Sequence, residues 1–202
     1  MQTLYLGSSS QSRQMLLRDA DIPFTLVKQS ADETMCDWGL SLQQVVESIA
    51  LYKMEHIILP KGKDGEVCFI LTADTLTENS AGKLEGKPTD REDAITKLKS
   101  SRKGVRTGTA FCLERRVWKN NAWHVDVHLL KFVQASYIFH VPDNAIDFYL
   151  DNVPVIGSGA IAIEGFGSQF LKTIDGSYTA VVGMPMYELR ECLTQLGFFK
   201  AL

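Results

Sequence analysis

The sequence predicts an α/β fold in which a mixed sheet is flanked by helices. Apolar strand-like runs alternate with helix-spaced stretches in the first half, and strand patterns cluster into hairpins from Thr107 onward. No internal repeat, linker or low-complexity tract breaks the 202 residues, a length that can bury a substantial core. One domain over 1–202 is therefore preferred to two.

In chain order, TLYLG reads as a first strand, and Ser8-Ser9-Ser10 as a turn capping a helix that carries Met15, Leu16 and Leu17 and ends near DADIP. FTLV (24–27) restarts an extended segment. Ser41 with Gln44 three positions on forms a capping box for a second helix, with Val45, Val46, Ile49, Ala50 and Ile57 as its buried stripe. Val67 to Leu71 reads as a strand buried on both faces, and Asp74 would close its carboxyl end, where open α/β sheets bind ligands.

Thr89 with Glu92 predicts another capping box, ahead of Ala94, Ile95 and Leu98 at helical spacing. WKNNAW marks a hairpin tip, since Asn tolerates the positive φ of tight turns, and Asp175-Gly176 marks a second such turn. DNAIDFYLD reads as a short helix, and MPMYELRECLTQLGFF as a last one, entered through Pro185 and stopped at Gly197.

Lys plus Arg number 21 against 24 Asp plus Glu, a net charge of -3, so no long-range field attracts nucleic acid or an anionic membrane. Basic groups that bind phosphate must be locally placed. Four cysteines without a C-x-x-C pair argue against zinc and against a disulfide framework. The N-terminus lacks the pattern of a secretion signal and no segment reaches membrane-span length, which makes a soluble, cytoplasmic protein the expectation.

Several constellations could carry chemistry. LGSSSQSR sets three hydroxyls and Arg13 where a strand enters a helix, an anion site in which Arg13 could close over a phosphate, or simply a helix cap beside a solvated arginine. SADET contributes Asp32 and Glu33. Lys53 follows Ile49 by four and Ala50 by three, so its stem lies near the buried stripe and its head can emerge at a cleft edge, or snorkel with no ligand. A carboxylate closing a buried strand, Asp74, must be hydrogen-bonded, paired or metal-bound, although a capping role would also satisfy it. Lys87, between Gly86 and Pro88, suits a phosphate clamp.

Two competing motifs are weaker. Gly157-Ser158-Gly159-Ala160-Ile161-Ala162 matches G-x-G-x-x-A but lacks a clear βαβ unit after it. His124, Asp126 and His128 alternate with valines, which would put them on one strand face, able to hold a metal or simply turned to water.

Taken in order, LYLGSSSQSRQMLL with its S-x-S-x-x-R pattern, DET (32–34), ALYK, TADT, GKPTDREDA, IEGFG and VVGMP resemble the Maf family of nucleoside triphosphate pyrophosphatases, also called septum formation inhibitor Maf. The likeness spans nearly the whole chain. It implies a Maf/inosine triphosphatase-like α/β fold, an elongated twisted mixed sheet flanked by helices, with two lobes around a central cleft. It implies hydrolysis of a nucleoside triphosphate between its α and β phosphates, giving the monophosphate and pyrophosphate.

By position, Asp74 is the family's proton acceptor, and Ser8, Ser10, Arg13, Glu33, Lys53 and Lys87 line the triphosphate and metal site. Glu33 and Asp74 would hold a divalent cation, Mg²⁺ or Mn²⁺. At the base-selecting positions the branch acting on dTTP and UTP usually carries arginine, threonine and glutamine, whereas the 7-methyl-GTP branch carries a bulky aromatic, glutamine and glutamate. This chain has Ser12, Thr75 and Glu164, a mixture. The resemblance leaves a homodimer open, and offers a non-enzymatic role in division arrest through protein partners as the alternative function.

Overall fold

The computed structural model of the chain describes residues 2–32, 36–153 and 156–199. In order these form β1 (Thr3–Leu6), α1 (Gln11–Asp19), β2 (Thr25–Leu26), α2 (Leu42–Glu55), β3 (Val67–Asn79), β4 (Leu84–Glu85), α3 (Arg91–Ser101), β5 (Val105–Lys119), β6 (Ala122–Phe139), α4 (Ile146–Asn152), β7 (Leu171–Gly176), α5 (Tyr178–Val182) and α6 (Met186–Gln195). The strands make one sheet in the order β2-β1-β3-β5-β6-β7, with β4 beside β3. β1 runs parallel to β2 and β3, and all other pairings are antiparallel. The expected mixed sheet flanked by helices is what the chain forms.

Period-2 geometry assigns the layers. From β3, Phe69, Leu71 and Ala73 join Phe111 and Leu113 of β5 beneath α1 and α6, where Leu17, Leu189 and Leu193 are fully buried. The intervening Cys68, Ile70 and Leu76 face α2, which covers the opposite side of the sheet with Val45, Val46, Ile49, Ala50 and Met54. A third cluster joins α3 and α4 to Val105, Tyr137 and Phe139.

α2 begins as its sequence predicts. The Ser41 hydroxyl accepts from Gln44 N at 3.4 Å, and Gln44 Oε1 accepts from Ser41 N at 3.2 Å. Ser41→Ala is expected to lower stability by about 1 kcal/mol, read as an earlier urea midpoint with an unchanged m-value. Ile57 lies beyond the helix end and is half-buried rather than part of its stripe.

Four expectations need correction. β3 does not end at Asp74 but runs to Asn79, because β5 continues to pair with it through Asn79↔Val105 after β1 has stopped at Leu6↔Leu71. The cap of α3 is shifted by one residue, with Asp90 accepting from Asp93 N while Asp93 accepts from Thr89 N, since a carboxylate outcompetes the Thr89 hydroxyl. Asn120 and Asn121 do form the hairpin tip, at φ 51 and 62. Asp175-Gly176 does not form one: it ends β7, with Gly176 (φ 114) opposite Ala135, where an added Cβ would lie 2.7 Å from Gln134 O.

The fourth correction concerns His124, Asp126 and His128. An irregularity between Arg115 and Arg116 inserts one extra residue into β6, so His124 pairs with Val117 whereas His128 pairs with Glu114. Those partners are three apart on β5, an odd number, and so face opposite sides of the sheet. The triad cannot converge. The G-x-G-x-x-A stretch likewise forms a tight turn, Ser158–Ala160, and Gly157 N donates to Ile161 O at 3.1 Å, so no strand-to-helix phosphate loop exists there.

Candidate active site

β3 has a gap along one edge. β1 leaves it after Leu71, where Gly7 N donates to Leu71 O at 2.9 Å, and β4 joins it only at Thr77. Between these points, residues 72–76 lack a strand partner on that side among the described residues, while β5 holds them straight on the other. The chain leaving β1 turns away through Gly7–Ser10 into α1. A notch therefore opens at the carboxyl end of β1, where a rigid backbone meets loops.

Successive side chains of β3 enter this notch from opposite faces of the sheet. Asp74 points to the α2 side, and its Oδ1 accepts from Lys53 Nζ at 2.8 Å. Both residues are 7% exposed. Lys53 gets there because α2 is docked one turn earlier, the Thr72 hydroxyl donating to Ala50 O at 2.7 Å.

Thr75 points to the α1 side and meets Arg13. The Arg13 guanidinium donates to Thr75 Oγ1 at 2.9 Å, Ser8 Oγ at 3.1 Å and Gly183 O at 2.8 Å. Arg13 is thus a fixed charge, 7% exposed, rather than the mobile clamp its position on a helix start suggested. Ser10 caps α1 by accepting from Arg13 N. Thr75 is itself held by Thr109, which donates to Ala180 O at 2.6 Å.

The surrounding cavity has a volume of about 400 Å³. Ser8, Ser10, Ser12, Arg13, Lys53, Asp74, Thr75, Lys87 and Glu164, all singled out from sequence, line it. Glu33, the remaining candidate, lies outside the described residues. The volume falls within the range of small-molecule sites.

Lys87 is exposed on a loop whose backbone is pinned, with Lys97 of α3 donating to Gly86 O and Lys87 O at 3.3 and 3.2 Å, and Gly159 N to Gly86 O at 3.1 Å. Across the cavity Ser12 donates to Glu164 Oε1 at 2.9 Å. Tyr137 adds a phenol that burial pushes up to about 12, so it stays a neutral hydrogen-bonding wall.

Sequence reasoning did not identify Gly183, Thr109, Lys97 or Tyr137. Gly183 had a usable signal: at φ 129 it must be glycine, and it stands in the VVGMP string. The other three are ordinary strand or helix residues until tertiary structure places them.

The described lining offers carboxylate and hydroxyl oxygens with neither imidazole nor thiol. That donor chemistry fits a hard divalent cation and not a soft one.

Comparison with known proteins agrees in extent with this architecture. The chain is 32% identical over 197 residues to a dTTP/UTP pyrophosphatase of Fusobacterium nucleatum, covering 96% of each chain. It is 31% identical over 205 residues to a dTTP/UTP pyrophosphatase of Caldicellulosiruptor bescii, covering 98% of this chain and 96% of the relative. A nucleoside triphosphate pyrophosphatase of Prochlorococcus marinus is 29% identical over 214 residues, at 96% and 97% coverage. A family profile described as Maf-like protein matches residues 3–196, and the chain accordingly belongs to the Maf-like proteins.

Proposed function

We propose that this chain hydrolyses nucleoside triphosphates at the α-β phosphoanhydride, releasing pyrophosphate. The observation carrying this reading is the convergence of Arg13, Lys53 and Lys87 with Asp74 on one cavity. A triphosphate needs its charge offset by cations that approach from several directions, and three chain segments supply them here. The names of the relatives support the same reaction.

In this reading Asp74 accepts a proton from a water whose oxygen attacks the α phosphorus. The new bond is that oxygen to phosphorus, the α-β bridging bond breaks, and pyrophosphate leaves with the electron pair. Lys53, 2.8 Å from Asp74, stabilises the anionic carboxylate that proton acceptance requires. Arg13, held at three atoms, keeps its charge in place before substrate arrives, which avoids reorganisation during the reaction. Asp74, with Glu33 as the second ligand expected from sequence, would hold Mg²⁺ or Mn²⁺. With such an ion held there, these carboxylates would bring added charge neutralisation to the triphosphate.

For the base, dTTP and UTP are the first candidates, from the names of the relatives and from Thr75. Glu164 departs from that pattern. Its carboxylate is acceptor-only and suits the N1-H and N2-H₂ edge of a guanine, whereas a glutamine offers a donor and an acceptor to uracil or thymine. Pyrophosphate release measured over dTTP, UTP, 7-methyl-GTP and other modified nucleotides tests both points, and no release from any of them with Mg²⁺ would defeat the proposal. Glu164→Gln should shift kcat/KM toward dTTP and UTP over 7-methyl-GTP by about 10-fold, one well-placed polar contact. An unchanged ratio would remove Glu164 from base selection.

A further inference from the structure

Away from the nucleotide cavity, on the α2 side of the same sheet, three metal-ligating side chains of different type meet. Cys112 and Glu114 stand two apart on β5 and so share a face, and His128 of β6 is the direct partner of Glu114. One ligand atom of each lies within 4.8 Å of the other two. His128 Nδ1 is 2.9 Å from Glu114 Oε1, and the Cys112 Sγ is 3.8 and 3.9 Å from the two ring nitrogens.

We infer that Cys112, Glu114 and His128 form a cation site for a borderline divalent metal of the Zn²⁺ class, distinct from the hard-cation chemistry of the nucleotide cavity. The donor set carries the choice of metal, since a thiolate and an imidazole with one carboxylate match zinc and mismatch magnesium. The two Glu114 oxygens have separate tasks: Oε2 accepts from Arg116 Nε at 2.6 Å, which orients the carboxylate, while Oε1 faces the other two ligands. Ligating carboxylates are commonly fixed in this way by an outer partner.

Cys112 and Glu114 are 0% and 5% exposed, whereas the His128 side chain is 44% exposed. The cation therefore has an entry side, on the half-exposed His128. Burial, with Glu114 adding to it, pushes the Cys112 thiol up to about 12. Binding must displace the thiol proton into solvent, so that thiolate and carboxylate together face the two charges of the metal and that of Arg116.

The site is also separate in space. Cys112 lies two and Glu114 four residues along β5 from Ala110, the partner of Asp74, roughly 7 and 14 Å at strand rise.

The test uses the full untagged chain, stripped with chelator under reducing conditions, loaded with Zn²⁺ alone and desalted. The expected result is retention of one equivalent of zinc by the wild type and by Asp74→Asn. His128→Gln and Cys112→Ser should weaken zinc binding by at least about 10-fold. With Co²⁺, the wild type and His128→Gln should show thiolate-to-metal charge-transfer absorption that Cys112→Ser lacks. His128 is exposed, so its replacement leaves the fold intact, checked by circular dichroism. Zinc lost on desalting the wild type, zinc held equally by both ligand variants, or zinc lost in Asp74→Asn would overturn the inference, and the first outcome would reduce the cluster to an ion-pair ladder.

Discussion

Asp74→Asn is expected to lower kcat for pyrophosphate release by roughly 10²- to 10⁴-fold, the range associated with loss of a positioned proton acceptor. KM should change far less, because Asn keeps the side-chain volume and an oxygen that can still accept from Lys53. The fold should survive because Asp74 lies mid-strand, flanked by the uninterrupted β3-β5 ladder, but at reduced stability, since the buried Lys53 ammonium then faces a neutral amide. Steady-state kinetics with dTTP and UTP, paired with a thermal melt, checks this. Turnover near wild type in a folded Asp74→Asn protein would mean that the carboxylate is only the counter-ion of Lys53.

How much of this was legible in the sequence depends on whether a residue's role is local. The Ser41-Gln44 box, the Asn120-Asn121 turn and the Pro185 entry to α6 are settled by neighbours in the chain, and each forms as its residues predict. The end of β3 is not local. Val67–Leu71 has the continuous apolar signature of a strand between two buried neighbours, whereas residues 72–76 are held by β5 alone and, with Thr77, carry threonines. Thr77 and Thr75 bond Thr107 and Thr109 across the strands, a pairing no periodicity reveals.

The candidate site was legible in its parts but not in its arrangement. Asp74 was expected where a strand stops, and it lies where that strand's neighbour stops. This difference matters chemically, because a strand that continues past the site presents Asp74 to α2 and Thr75 to α1 as consecutive residues. Two helices on opposite faces of the sheet can then deliver Lys53 and Arg13 to one notch. The Arg115/Arg116 irregularity is the opposite case: one extra residue in β6 dissolved the motif read from His124 to His128 and left His128 with Glu114 instead.

Lys53→Met should produce the second large effect, on stability and activity together. Methionine retains the packing of the lysine stem against α2's buried stripe but leaves Asp74 without its ammonium in a site where the two side chains are 8% and 10% exposed. Removing one partner of a buried pair costs about 3 kcal/mol, which for a chain of this size lowers Tm by roughly 6 to 12 °C. If Lys53 also offsets substrate charge, KM for the triphosphate rises as well. The double variant Lys53→Met/Asp74→Asn separates the two roles, since it has neither charge. Its stability should recover relative to the sum of the single changes by roughly 1 to 3 kcal/mol, the coupling expected of groups in contact. Its kcat should be no lower than that of Asp74→Asn alone, because residues acting as one unit do not add. A double variant whose losses in stability and in kcat are both the plain sums would show that the 2.8 Å contact is incidental and that each residue acts by itself.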